Sequence, residues 1–147
     1  MPLKDHLLSA ERRPRVVIDC VRLIDEEVDR KGGLSGFALK AAFKTVKAVK
    51  PGFIGEVTDG LLPDWIDKLE AHFARWEAAG KSPSFGTFCA QDAAAVAERL
   101  LEVTDARARK GGHRTVLALY EKLRSGAKDH VIAAVPGLGR VVDRHIG

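Results

Sequence analysis

PDWIDKLEAHFARW, residues Pro63 to Trp76, places Trp65, Ile66, Leu69, Phe73 and Trp76 at spacings of three and four, with Trp65 and Ile66 adjacent. That spacing has the α-helical period and gathers the large side chains on one broad face. Pro63 suits the first turn of such a helix, where its missing N–H costs nothing. Asp64, Asp67 and Glu70 fall in the first half, where acids complement the positive end of the helix dipole.

Working outward, nearly every other segment repeats the pattern, with Gly or Pro at the joins. Pro14 opens a helix striped by Val17, Cys20, Val21, Ile24 and Val28, and Gly32-Gly33 are expected to stop it. Ser35 reads as the N-cap of the next helix, whose apolar side is Leu39, Ala42, Phe43, Val46 and Val49 and which Pro51 ends. The segment Phe53 to Leu62 is weaker, broken by Gly55 and Gly60. Beyond the loop Gly80 to Ser84, a helix from about Phe85 or Asp92 to Arg109 packs Ala93, Val96, Ala97, Leu100 and Val103. Val116, Leu117, Leu119, Tyr120 and Leu123 mark another, halted near Ser125-Gly126. Val131, Ile132 and Val135 begin a last one, interrupted at Pro136-Gly137 and resumed by Val141, Val142 and Ile146.

No strand pattern competes. The expected fold is all-α, a compact antiparallel bundle of six or seven helices forming a single domain over 1–147, with 1–13 as a loosely packed N-terminal arm. A chain of 147 residues, 46% hydrophobic and 30% charged, can bury a continuous core without metal or disulfide support. With aromatics at only 6%, that core is mostly aliphatic.

Cys20 and Cys89 lie far apart within apolar helical patterns and read as buried free thiols. The start is interrupted by Lys4, Asp5, Glu11, Arg12 and Arg13, unlike a secretory leader, and no apolar run of about 18 residues suggests a membrane span. A reducing cytoplasm is the simplest address.

No segment of the chain carries a complete catalytic or metal-binding motif. Gly32-Gly33-Leu34-Ser35-Gly36 resembles a nucleophile elbow only loosely, since its spacing departs from GxSxG and no strand precedes it. The five histidines are scattered, neither HExxH nor ExxH occurs, and Lys68 between Asp64 and His72 would repel a cation. Asp64 and His72 therefore read as solvated or partner-facing. No catalytic residue, cofactor or metal is expected.

What stands out is charge. From Arg30 to Gly55 the chain carries Arg30, Lys31, Lys40, Lys44, Lys47 and Lys50 and no acid, within a net charge of +4 and a sequence pI of about 9.2. Lys40, Lys44 and Lys47 share a helical face, and Arg107, Arg109, Lys110 and Arg114 form a second basic patch around a turn. Asp25, Glu26, Glu27 and Asp29 crowd a helix C-terminus, where the dipole disfavours them, and call for a basic partner; the adjacent lysines are the nearest. Asp64, Asp67 and Glu70 are a second candidate set of partners for those lysines.

The segments Gly33 to Ile54, Leu61 to Asp67 and Val103 to Arg107 resemble a functionally uncharacterised family of small helical bacterial proteins. The resemblance implies a stand-alone helical domain and supplies no catalytic residues. The first functional expectation is a non-enzymatic domain acting through protein contacts, as a homo-oligomer with complementary charge blocks or with another protein. One alternative is a peripheral binder of anionic lipid or nucleic acid through Lys40, Lys44, Lys47 and Lys50, for which Phe37, Phe43, Phe53 and Ile54 would supply a lipid-facing apolar side, although the core is the more economical place for them. A second is a carrier for a small apolar ligand lined by Trp65, Phe73 and Trp76.

Overall fold

In order along the chain, the computed structural model, which describes residues 1–146, has α1 (Leu3–Leu7), α2 (Arg13–Arg30), α3 (Gly33–Val49), α4 (Phe53–Ala78), α5 (Phe85–Ala90), α6 (Ala93–Arg109) and α7 (Arg114–Ile146), with no strand among those residues. The all-α expectation holds. α2 and α6 each pack against both α4 and α7, so these four helices ring a common interior. α1 and α5 are short plugs between α4 and α7, while α3 lies outside across α2, α7 and α4.

The aromatic face read from Pro63 to Trp76 is the centre of the core. Ile66, Leu69, Phe73 and Trp76 are buried with Phe85, Cys89, Val96, Val135 and Val142. Leu3 and Leu7 join them, both almost wholly buried. The N-terminal segment is therefore tied down, contrary to the loose arm expected of 1–13. Its anchor is Glu70, whose carboxylate accepts the backbone N–H of Leu3 at 3.0 Å and of Lys4 at 2.8 Å. Those donors belong to the first turn of α1, which has no internal acceptor for them.

α5 is held in the same way. Ser84 Oγ accepts from Thr87 N at 3.2 Å, and the Asp143 carboxylate of α7 accepts from Phe85 N and Gly86 N, each at 3.0 Å. Both plugs are thus capped by acids from long helices distant in sequence.

Three expected breaks, before Pro63, at Ser125-Gly126 and at Pro136-Gly137, do not occur. α4 runs unbroken through Gly55, Gly60 and Pro63, and α7 runs through Gly126, Pro136 and Gly137. Pro63 cannot donate to the carbonyl of Asp59, four residues earlier. Arg13 takes over that role: its Nη2 donates to Asp59 O at 2.8 Å while its Nε binds Asp59 Oδ1 at 2.8 Å. Two of the three glycines of α7, Gly137 and Gly139, mark close approach rather than breaks. A Cβ at Gly137 would lie 2.5 Å from Leu23 Cδ1, and one at Gly139 only 2.2 Å from Gly86 Cα. The Pro-Gly pair at Pro51-Gly52, by contrast, does separate helices, with Gly52 in the left-handed region at φ 81°.

Ser35 is not an N-cap. α3 begins two residues earlier, and the Ser35 hydroxyl instead pairs with His130 Nε2 on α7 at 2.8 Å. The region expected from Phe85 or Asp92 to Arg109 is divided into α5 and α6.

Candidate functional site

α3 has an unusual cross-section. Going round the helix at 100° per residue, Ala42, Val46, Leu39, Phe43 and Gly36 make the inward side, buried or half-buried. Lys47, Lys40 and Lys44 follow along one edge, and then comes a strip of Phe37, Ala48, Ala41, Leu34, Thr45, Ala38 and Val49, all exposed. Leu34 is 91% and Phe37 73% exposed. The sequence puts apolar residues on two sides of this helix, and the bundle has room to cover only one.

The basic block sorts into paired and free cations. Arg30 and Lys31 both bind the buried Glu27, at 2.5 and 3.5 Å, and Lys47 binds Asp25 at 2.9 Å. The acidic cluster at the end of α2 thereby meets part of the adjacent basic block, as expected. Lys50 sits 5.2 Å above the Phe53 ring, away from the others. Lys40 and Lys44 are exposed and make no ion pair among the described residues, so the unneutralised charge lies beside Phe37.

Asp64, Asp67 and Glu70 do not serve this block. Glu70 caps α1, and Asp64 and Asp67 line a shallow cleft with Lys68, Glu102, Arg107 and Lys110. The second basic patch is partly structural: Arg107 Nη1 donates to Gly111 O at 2.6 Å and closes the C-terminus of α6. Arg109, Lys110 and Arg114 are exposed around the turn. Because that cleft mixes both signs of charge, it is a poorer anion platform than α3.

His72 departs most from expectation. It is fully buried, not solvated or partner-facing, and both ring nitrogens are engaged. Arg99 Nη1, which can only donate, lies 2.6 Å from Nδ1, so the ring proton sits on Nε2 and points to Asp92 Oδ2 at 3.1 Å. The ring is locked between two partners, with no lone pair left for a substrate. Burial, helped by Arg75 and Arg99, pushes its pKa below the usual 6.5 despite Asp92. The unfolded chain therefore binds a proton on this residue more readily than the folded one. Stability is retained above about pH 6.5 and falls as pH drops from there toward the lowered folded pKa. Urea midpoints compared at mildly alkaline and mildly acidic pH should show this loss, and His72→Gln should flatten it.

Burial raises the Cys20 thiol to about 11 and the Cys89 thiol to about 12, and neighbouring acids add to each, so neither is a ready nucleophile. The three aromatics expected to share a pocket do not. Phe73 and Trp76 pack with Phe85 at ring separations of 5.4 to 5.5 Å, in a filled cluster. Trp65 lies instead on the wall of a separate cavity inside the helical ring.

Exposure of Leu34 was the signal missed in sequence, whereas of the lipid-facing candidates Phe37, Phe43, Phe53 and Ile54 only Phe37 is exposed, alongside Leu34. Both lie well off the Ala42–Val46 direction, which a helical projection of α3 makes visible once that direction is taken as inward. Among the described residues, no helix is long and apolar enough to cross a membrane, and no group of three His, Cys, Asp or Glu side chains is placed to hold a metal ion.

No curated protein and no solved structure matches this chain. A family model does match, over residues 3–146, and the chain accordingly belongs to a family of unknown function (DUF6918).

Proposed function

We propose that this chain is a non-enzymatic domain that docks on an anionic membrane surface through the outer side of α3, at the cytoplasmic leaflet. The single observation that carries the reading is the exposed strip of Leu34 and Phe37 edged by the unpaired Lys40 and Lys44. An interfacial helix lies in the plane of the headgroups with apolar residues sunk toward the acyl chains and lysines on the phosphates. The cytoplasmic leaflet is the negatively charged one, and each lysine near it contributes about 1 kcal/mol.

Two rival partners fit this surface less well. Nucleic acid offers phosphates but nothing to cover Leu34 and Phe37. A symmetric dimer through the same strip would set each lysine edge near its copy, because a two-fold interface presents one patch to itself. Much of the acid that could have bridged two copies is already spent within the chain: Asp25 on Lys47, Glu27 on Arg30 and Lys31, and Asp59 on Arg13.

Vesicle co-sedimentation tests the reading. Vesicles containing phosphatidylglycerol should bind the protein, wholly zwitterionic ones much less. Lys40→Gln with Lys44→Gln should weaken binding roughly thirtyfold, at about 1 kcal/mol per lysine. Phe37→Ser should weaken it roughly tenfold or more through lost apolar burial. Absence of binding at low salt, or equal binding by all variants, defeats the proposal; a dimer by light scattering that Phe37→Ser dissolves would favour self-association instead.

A further inference from the structure

Between α2, α4, α6 and α7 the helical ring encloses a cavity of about 200 Å³. Leu23 and Ile24 of α2, Trp65 of α4, Leu100 of α6, and Val131 and Ala134 of α7 are on its wall, and all six are half-buried, so the cavity opens to the surface. No polar atom faces into it.

The polar groups nearby are all turned elsewhere. Trp65 Nε1 donates to Leu100 O at 3.2 Å, and the Thr104 hydroxyl donates to Leu101 O at 3.1 Å. Cys20 keeps its proton, its thiol being raised to about 11. Water needs two to four polar partners to reside in such a space and would find none, whereas a dry cavity of about 150 Å³ lined by Leu, Ile and Phe takes up benzene. A void of this size leaves its lining without contacts on one side, a loss that an occupant of matching shape removes.

We propose that this cavity is a binding site for a small uncharged hydrocarbon group, the size of one aromatic ring or a chain of about six to eight carbons. A carboxylate or other charged headgroup has no partner inside, so any such group must stay outside the mouth. The site is independent of the α3 surface, and its test needs no vesicles.

Benzene titrated into the full chain, followed by methyl NMR, should give saturable shifts at Leu23, Ile24, Leu100 and Val131, together with a raised thermal midpoint. Benzoate at the same concentration should give neither. Ala134→Phe should fill the space and weaken benzene binding more than tenfold; if that variant does not fold, the smaller Ala134→Leu takes its place. Absence of saturable shifts in the wild-type chain, shifts centred on Phe73, Trp76 and Phe85 instead, or benzoate binding as tightly as benzene would each overturn the proposal.

Discussion

Gly139→Ala should lower stability by about 3 kcal/mol, the upper end of what overpacking costs, and the loss should appear as a reduced urea midpoint. The added methyl would lie 2.2 Å from Gly86 Cα and 3.1 Å from Gly86 C, and neither is the movable end of a side chain. α5 and α7 must separate to admit it. Separation also lengthens the bonds by which Asp143 holds the start of α5, so two sources of stability are lost together. Gly60→Ala is the control. That glycine is inside α4 with nothing within 4 Å of the added atom, and the change should stabilise by about 0.5–1 kcal/mol through helix propensity. Similar behaviour of the two variants would mean that α5 and α7 are not in backbone contact.

Phe73→Ala should cost about 3–5 kcal/mol, a large share of the roughly 5–15 kcal/mol that keeps a domain of this kind folded. Phe73 is almost fully buried and is ringed by Trp76, Phe85 and His6, with centroids at 5.4, 5.4 and 5.7 Å. Removing it leaves a hole that touches α1, α4 and α5 at once, and neither plug can slide to fill it while its cap holds. Phe73→Leu should recover more than half of the loss. A cost below about 1.5 kcal/mol for Phe73→Ala, measured by urea unfolding, would place that side chain outside the tightly packed centre.

The helical period carried most of the fold. It locates α2, α3, α6 and the part of α4 from Pro63 onward because each has a sustained apolar stripe, and Trp65 to Trp76 point directly at the core. α7 is misread because glycine and proline are ambiguous without a neighbour: Gly126 and Gly137 read as breakers, yet the helix continues through both, and Gly137 and Gly139 are where Leu23 and Gly86 come closest. Pro63 was read as a beginning because the group that replaces its missing donor, Arg13, lies far back in the chain. The lysine edge was legible, but its partners were not: Asp25 was anticipated, whereas Glu70 was assigned to its own helix dipole and in fact closes α1. Trp65, Phe73 and Trp76 share a helical face, and their division between a cavity and a filled cluster depends on which helices stand opposite.

The carboxylates that close the two short helices lie far downstream of the amides they serve. During synthesis, Leu3 and Lys4 are made well before Glu70, and Phe85 and Gly86 well before Asp143 in the last turn of α7. A nascent chain that already carries α5 therefore lacks its clasp until the last turn of α7 has been made, and full locking of the interior is deferred to that point.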